Sequence, residues 1–463
     1  MAKERFEFTG GLKKKLFIVA IVGVVMLISG ALFSGGAGHE AEAGDHNATE
    51  QHDASNADNH DSEVESGMDE GHGGMMSDPV GEGQEAGVEH GGSWLKRFAV
   101  DLWINNVYFT GLALIGIFFF ALQYASQAGW STYLLRVPLA MGSWLPYAFV
   151  LMIGTFLVFS HDLFHWTHSD LYEVGGAHFD ALIAGKSSYF FLPLEGGSFP
   201  VFFVLRMVVF FAVWYLLFKK LRSLAFAEDE LGGDGYWFKM RKFSAIFLVV
   251  FAVSSSVAAW DWIMSIDVHW FSTMFGWYVF ASWWVTGLAF ITLATVLLKE
   301  AGYLTEVTAD HLHDMGKFVF AFSIFWTYIW FSQFLLIYYA NIPEESVYFV
   351  ERLLSDKYAP FFFINLILNF VFPFLTFMTR DAKRLNVFLK IVCVVIIGGH
   401  WIDFYLMATP GTLGEDGAFG LTEIGSFLVF GAGFLFVTLK ALAKAPLVAK
   451  NHPMYEEAKH HHI

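Results

Sequence analysis

Residues 243–298 read FSAIFLVVFAVSSSVAAWDWIMSIDVHWFSTMFGWYVFASWWVTGLAFITLATVLL. The stretch contains two apolar runs, 243–263 and 273–298, separated by a short polar segment. A helix that crosses a bilayer needs about 20 mostly apolar residues, whereas strands are far shorter. The stretch therefore predicts two membrane-spanning helices whose connecting turn carries Asp261, Asp267 and His269.

Eight further runs of similar length and apolarity occur along the chain, at 14–34, 102–124, 139–160, 199–218, 317–340, 358–379, 385–408 and 419–439. The whole sequence is 56% hydrophobic and only 16% charged, whereas a soluble domain is typically about 25% charged. These patterns predict an all-α integral membrane protein with ten transmembrane helices. We expect two four-helix bundles, spans 2–5 and spans 6–9, with spans 1 and 10 at the periphery.

The distribution of basic residues predicts the orientation of the chain. If the N-terminus lies in the cytoplasm, the cytoplasmic segments hold 21 of the 28 Lys and Arg residues and the outer segments hold five. Basic residues concentrate in the cytoplasmic loops of membrane proteins. Both termini are therefore expected to be cytoplasmic.

Charge and complexity divide the chain into four predicted regions. Residues 1–34 form an anchor helix in preference to a cleaved signal, because the apolar run exceeds the length of a signal core. Residues 35–95 form an acidic, His-rich, disordered outer loop, since residues 35–92 alone hold nine Glu and six Asp without Lys or Arg. Its six histidines leave metal binding open, although a solvated acidic loop is preferred. Residues 96–445 form the helical membrane domain, and 446–463 form a cytoplasmic tail.

The cysteine and histidine content limits the redox centres that this chain can hold. Its single cysteine, Cys393, excludes a disulfide within the chain, a c-type haem and an iron–sulfur cluster. A b-type haem needs two facing helical histidines, and the predicted spans offer only His161 and His400. We therefore expect no haem and no iron–sulfur cluster on this chain.

Polar and ionisable residues inside the predicted spans share one depth, from the outer surface to the middle of the membrane. Such residues are costly in a bilayer, so each is a functional candidate. His400 and Asp403, and likewise Asn365 and Asn369, are spaced to share a helix face. The full set comprises His161, Asp162, Arg206, Ser254, Ser255, Ser256, Asp261, Asn365, Asn369, His400 and Asp403.

This depth pattern suits a quinol, which enters from the lipid and releases two electrons and two protons on oxidation. Histidine and carboxylate side chains can take up and pass on such protons. We assign His161 and Asp261 as head-group partners, and Trp262 and Asn365 as further contacts. Arg206 either holds a carboxylate ionised or binds a carbonyl oxygen. The candidate proton exits are Asp162, His165, Asp267, His269 and Asp403, with His400 beside the last of them.

Structural readings of the same residues remain open. The tryptophans near Asp261 also fit an interfacial aromatic belt. Arg206 and Asp261 also fit a purely structural ion pair, and the two asparagines also fit interhelical hydrogen bonding. Asp267 and His269 also fit exposed or capping roles in a loop.

Three stretches resemble the NrfD-like family, the membrane subunits of polysulfide reductase and its relatives. They are WDWIMSIDVHWFSTMFGWYVF (260–280), GKFVFAFSIFWTYIWFSQFLLIYYANIPEE (316–345) and FFFINLILNFVFPFLTFMTRDAKR (361–384). Together they are similar to the ten-span branch found in bacterial alternative complex III. The long acidic outer loop is similar to that of the second such subunit in that complex. The resemblance covers roughly residues 95–445.

The resemblance implies a subunit of a quinol:cytochrome c oxidoreductase complex in the bacterial inner membrane. It implies two four-helix bundles, a menaquinol or other quinol site near the outer face, and no redox centre on the chain itself. The implied partners are a sister NrfD-like subunit, an iron–sulfur protein and multihaem cytochrome c subunits, with a cytochrome c or a terminal oxidase as final acceptor. Lipids surround the chain, and no nucleic-acid partner is expected.

Two alternatives to a quinol-binding subunit remain. A non-catalytic paralogue in the same complex would dock partners and conduct protons through the outer polar residues. A secondary transporter is the more remote alternative, because transporters often carry paired Gly/Pro-interrupted spans around a midplane site. No such pair is apparent here, although Pro373 interrupts one span.

Overall fold

The computed structural model describes residues 4–36 and 93–462, and every regular element in this part of the chain is a helix. Ten helices are long and apolar enough to cross a membrane, which confirms the predicted all-α membrane protein with ten spans. Residues 35–36 and 93–95, expected in the acidic loop, belong instead to the ends of the first two helices, and the rest of that loop lies outside the described residues. The ten helices are α1 (Gly10–Gly36), α2 (Ser93–Ser126), α3 (Leu145–Leu163), α4 (Val201–Leu231), α5 (Asp234–Trp262), α6 (Phe275–Glu300), α7 (Ala309–Ala340), α8 (Ala359–Thr376), α9 (Asn386–Leu413) and α10 (Leu421–Leu442).

Several helices are longer than the apolar runs that predicted them. The run at 199–218 was expected to end the fourth span, but α4 continues to Leu231, and α5 already begins at Asp234. The turn between them contains Gly232 and Gly233, whose positive φ angles of 65° and 85° suit glycine. Hydrophobicity marks only the part of a helix inside the hydrocarbon, so polar extensions beyond it are missed.

Contacts between neighbouring helices are described here as two sets of four, called the first and the second group. In the first group, α2 and α4 each pack against α3 and α5; in the second, α6 and α8 each pack against α7 and α9. The groups meet where α6 contacts α2 and α5, and where α9 contacts α2. Helix α1 packs mainly on α10, which in turn contacts α2 and the short helix Arg136–Met141 that precedes α3.

Close packing at the junction of the two groups depends on a small residue in α2. A Cβ atom added to Gly111 would lie 1.9 Å from the indole of Trp283 in α6, which is closer than real atoms approach. Trp283 is fully buried between the two groups. Gly111 therefore sets how closely α2 and α6 can approach.

The chain ends lie together on one side of the bundle, called here the terminus side. Arg5 pairs with Pro446, and the backbone N–H of Leu447 donates to the carbonyl of Glu4 at 2.9 Å. The C-terminal residues, expected to form a tail, pack against the body instead. His461 lies 2.6 Å from Asp314 near the start of α7, and its ring also contacts His311 and Trp130.

The other side, called here the loop side, holds the segments that follow α3, α5, α7 and α9. These segments contact one another: Lys186 donates to the carbonyl of Val268 at 2.5 Å, and Trp270 donates to that of Glu345 at 3.1 Å. The segment after α7 forms the helix Pro343–Leu353. Two clusters of buried polar side chains lie towards this side of the membrane part.

Candidate functional site

The first polar centre joins α4, α5 and a short helix before α4. Arg206 donates to Asp261 through two nitrogens, with Nε 2.7 Å from Oδ2 and Nη2 2.9 Å from Oδ1. The hydroxyl of Tyr189, in the helix Ser187–Phe191, donates to Oδ1 of the same carboxylate at 2.8 Å. We call Arg206, Asp261 and Tyr189 the Arg206 centre. The Asp261 carboxylate thus accepts two charge-assisted hydrogen bonds from Arg206 and one from the Tyr189 hydroxyl.

Helix geometry explains why these residues meet. Arg206 lies in the second turn of α4, and Asp261 is the penultimate residue of α5, so the antiparallel neighbours bring both residues to the loop side. The Arg206 guanidinium lies 4.1 Å from the centre of the Tyr189 ring and also donates to the Tyr189 carbonyl at 2.7 Å. The aromatic face and the carbonyl therefore help to hold the arginine.

Burial within the Arg206 centre is graded from the protein interior to the surface. The exposed fraction is 1% for Asp261, 10% for the Arg206 side chain and 39% for Tyr189. Burial raises the pKa of the Tyr189 phenol, and the nearby Asp261 carboxylate raises it further. Tyr189 therefore stays protonated as a donor. It lies beside α4, where Leu205 and Val209 are exposed as lipid-facing residues would be.

The second polar centre is enclosed between α6, α7, α8 and α9. Asp403 in α9 accepts hydrogen bonds from the Tyr278 hydroxyl, from Ser282 at 2.6 Å, from the Trp326 indole at 3.0 Å and from Asn365 at 2.8 Å. Asp403 is completely buried. We call these five residues, together with His400, the Asp403 centre. One carboxylate thus ties four different helices together.

His400 differs from the rest of the Asp403 centre because its ring nitrogens lack partners. Its Nδ1 lies 3.6 Å from the Asp403 carboxylate, beyond a good hydrogen bond. Neither ring nitrogen makes a hydrogen bond within the described residues, although the side chain is completely buried. Native proteins rarely leave buried polar groups unpaired, so this imidazole is a functional candidate.

A π-helical turn in α8 shapes the deep end of the Asp403 centre. The turn spans Ile367–Val371 and contains Asn369, whose amide donates to the Asn365 side chain at 2.5 Å. Single π turns inside α-helices occur frequently at functional sites. Both asparagines face inward, as their four-residue spacing indicated, and they extend the polar chain towards the middle of the bundle.

A small cavity lies between the Asp403 centre and the loop side. Tyr278 and Asn365 line one end of it, and Gln333, Tyr348 and Arg352 line the other. Its volume of about 10 Å³ suffices for roughly one water molecule. Among these lining residues, Arg352 extends from the cavity towards the loop side.

Arg352 connects this cavity to the loop side. Its Nη2 donates to Asp267 at 2.9 Å, and its guanidinium stacks 3.4 Å from the centre of the Tyr348 ring. Burial alone would lower the pKa of Arg352, but Tyr348, Asp267 and Glu351 together raise it, so it stays charged. Asp267, expected to be a proton exit, thus pairs with a buried arginine above the Asp403 centre.

His161, in the last turn of α3, forms a separate surface group with histidines of the segment that follows. His161 contacts Thr167, whose hydroxyl lies 3.0 Å from its Nδ1, and the His168 ring, 5.2 Å away between centres. No hydrogen bond joins His161 or its neighbour Asp162 to Arg206 or Asp261 in the described part of the chain. The structure thus brings Arg206 and Asp261 together, as the sequence suggested, but places His161 elsewhere.

His165 and His269 also belong to the loop side and not to either centre. Burial lowers the pKa of His165, and the neighbouring His168 and His269 lower it further. His269 lies 2.6 Å from the Asp180 carboxylate, which also caps the helix Ala181–Gly185. These histidines are therefore a surface cluster at the membrane edge.

Other candidates from the sequence have packing roles. Trp262 is buried, stacks on Phe211 and accepts a hydrogen bond at its carbonyl from Trp103 at 2.7 Å. It belongs to the core of the first helix group and not to an aromatic belt. Ser254 accepts a hydrogen bond from Trp214 at 2.8 Å, whereas Ser256 only bonds back to its own helix. The six histidines considered for metal binding in the acidic segment lie outside the described residues.

Comparison with known proteins adds no family assignment. No family model matches the chain, and no curated protein matches it. The resemblance to the NrfD-like family therefore rests on the three quoted motifs, and its functional consequences are treated as a proposal.

Proposed function

We propose that this chain is an integral membrane subunit of a respiratory quinol:cytochrome c oxidoreductase complex in a bacterial inner membrane. In this proposal the two groups of four helices are the two four-helix bundles of an NrfD-like subunit. The terminus side faces the cytoplasm, and the loop side faces outward. An iron–sulfur protein and multihaem cytochromes c bind on the loop side, and a sister NrfD-like subunit lies alongside in the membrane.

The observation that carries this proposal is the graded burial of the Arg206 centre. A carboxylate with an exposed fraction of 1% is reached through a tyrosine with an exposed fraction of 39%, beside the lipid-facing surface of α4. A quinol arrives from the lipid with its hydroxyl groups foremost and needs a hydrogen-bond partner and a proton acceptor. Tyr189 and Asp261 supply these two groups next to each other.

Each residue of the Arg206 centre has a defined part in this reaction. Tyr189 turns its hydroxyl from Asp261 to a quinol oxygen. Oδ1, which still accepts from Arg206, can then take a quinol proton in place of the tyrosine hydrogen bond. Arg206 keeps the carboxylate charged beforehand, through two donors that hold its orientation. The quinol loses two electrons, which pass to an iron–sulfur or haem centre of a partner, and two protons, which leave successively from Asp261 to the loop side.

The Asp403 centre favours a second candidate function, that of a paralogue which handles protons without binding quinol. Its cavity of about 10 Å³ is too small for a quinone ring. The Asp403 centre nevertheless contains a buried imidazole that has no hydrogen-bond partner within the described residues. It also contains a continuous chain of hydrogen bonds from Asn369 through Asp403 to Tyr278. In this candidate function His400 and Asp403 exchange protons with the loop side through the cavity and Asp267.

Purification of the chain from its native membrane tests both functions. We expect it to co-purify with subunits that show haem c absorption and iron–sulfur electron paramagnetic resonance signals, and the preparation should reduce cytochrome c with a quinol. A chain that purifies alone, without quinol oxidation, would overturn the proposal. If that isolated chain moved a solute across vesicle membranes, the secondary-transporter alternative would take its place.

A further inference from the structure

The contact between α1 and α10 is tight in one part and open in another. At Gly23 and Gly425 the two backbones meet so closely that a Cβ atom added to Gly425 would lie 2.7 Å from the Gly23 carbonyl oxygen. Such small residues allow helices to approach in membranes. Towards the terminus side the same helices diverge and leave a groove of about 640 Å³.

The groove has apolar walls and a basic mouth. Its walls come from α1, α10, the first turn of α3 and the residue before it, and include Phe17, Ala20, Trp144, Gly433 and Val437. Lys13 and Lys14 line it at the terminus-side end of α1. Five residues of α10 between Val429 and Val437 border the groove, and the helix rises about 12 Å between these two residues. This length fits the upper part of an acyl chain.

Buried hydrogen-bond donors without partners lie beside this groove. The Trp144 indole N–H, the Ser143 hydroxyl and two nitrogens of Arg136, Nε and Nη1, make no hydrogen bond within the described residues. Trp144 has an exposed fraction of 4% and Arg136 of 5%. Arg136 and Ser143 line a smaller cavity that follows the groove towards the terminus side, beside Arg222. Arg136 also pairs with Asp229 through Nη2, so its two remaining nitrogens and the Ser143 hydroxyl are the donors available where the apolar groove ends.

We propose that this groove binds one anionic diacyl phospholipid of the leaflet on the terminus side. Its acyl chains lie between α1, α3 and α10, and its phosphate binds Lys13 and Lys14, with Ser143 and Arg136 within the head-group region. Charge complementarity favours an anionic phospholipid over a helix of another subunit, because a helix would leave the lysines and buried donors unpaired.

Lipid binding to the purified full-length chain tests this inference. After delipidation in detergent, the chain is titrated with phosphatidylglycerol or phosphatidylcholine and observed by native mass spectrometry. We expect one phosphatidylglycerol to bind preferentially. The double variant Lys13→Ala/Lys14→Ala should bind it about 30-fold more weakly. The two lysines each attract the anionic head group by a comparable amount, and the loss of both multiplies the two effects.

Two further variants separate charge from shape. Lys15→Ala removes a neighbouring lysine that does not line the groove, so its affinity should equal that of the wild type. Gly433→Leu places a side chain in the groove without removing a charge, so it should also weaken binding. Equal affinity for the two lipids, or equal weakening by Lys15→Ala and by the double variant, would overturn the inference and leave a partner helix as the occupant.

Discussion

Arg206 and Asp261 form a two-point ion pair just inside the loop side of the membrane part, with distances of 2.7 and 2.9 Å. Asp261 is buried, whereas the arginine is bounded by the half-exposed Tyr189. This relationship explains how a carboxylate can remain in an apolar bundle. It also places that carboxylate one side chain away from the lipid-facing surface.

Asp261→Asn should lower quinol oxidation by the purified complex by about 100-fold, because the amide cannot accept the proton. The rate of cytochrome c reduction by a quinol measures the effect. Asp170→Asn changes an exposed loop carboxylate outside both centres and should leave the rate unchanged. Full activity of Asp261→Asn in an intact complex would remove Asp261 from the reaction.

Tyr189→Phe offers a milder test, because it keeps the ring beside Arg206 and leaves the ion pair intact. It removes only the hydroxyl that donates to Asp261. We expect a higher KM for quinol with normal subunit assembly, since one hydrogen bond to the substrate is lost. An unchanged KM would show that Tyr189 does not contact the quinol.

Asp403→Leu should strongly destabilise the protein, whereas His400→Leu should not. The first change removes the acceptor of the Tyr278 hydroxyl and of the Asn365 amide, at a cost of about 1–3 kcal/mol for each, whereas Ser282 and Trp326 keep a second acceptor. The second removes an imidazole that makes no hydrogen bond in the described structure. Thermal unfolding of the two detergent-purified variants provides the comparison, and equal Tm values would contradict the observed hydrogen bonding.

Gly111→Ala should also lower the unfolding temperature, because the added methyl group would overlap the Trp283 ring. Overpacking of this kind typically costs about 1–3 kcal/mol. Gly154→Ala in α3 provides the control, since nothing lies within 4 Å of the position of its added Cβ. If both variants unfold at the same temperature, α2 and α6 are not as close as described.

The loop before α4 should lose order in acid. Burial raises the pKa of Asp180, but the backbone N–H of Ile183, His269 and the backbone N–H of Leu182 outweigh it, so the pKa is lowered. A carboxylate with a lowered folded-state pKa stabilises the fold above its unfolded pKa of about 3.9, and this stabilisation is lost as the pH falls through the folded-state value.

Hydrogen-exchange protection factors of Leu182 and Ile183 should therefore stay constant near neutral pH and fall below about pH 4. Asp180→Asn keeps an oxygen that can cap the helix but removes the titrating group, so its protection should not depend on pH in this range. The same acid-dependent loss in the variant would assign the effect to another group.

The ten spans could be predicted because hydrophobic runs of membrane length are unambiguous. The ends of α4, α5 and α7 could not, since their polar extensions resemble loops. The spacing of His400 with Asp403 and of Asn365 with Asn369 correctly indicated shared faces. It could not reveal that Tyr278, Ser282 and Trp326 complete the same centre, because such residues occur throughout the apolar spans.

Pairing between distant segments was harder to predict. Arg206 and Asp261 are oppositely charged candidates near the loop-side ends of neighbouring spans, so their pairing was foreseeable. Asp162 at the end of α3 offered a second carboxylate at the same depth, so the sequence did not single out this pair. Tyr189 was missed because it lies in a loop rich in aromatic residues, without a spacing that marks it. His161 was placed with Asp261 on depth alone, but the loop turns its ring towards Thr167 and His168.

The most direct test is electron cryomicroscopy of the native complex with a bound quinone-like inhibitor. We expect inhibitor density beside Tyr189, with a polar atom within hydrogen-bond distance of Tyr189 or Asp261. Inhibitor density only in a sister subunit, with the Arg206 centre unchanged, would contradict a quinol site on this chain and leave proton handling through the Asp403 centre as its function.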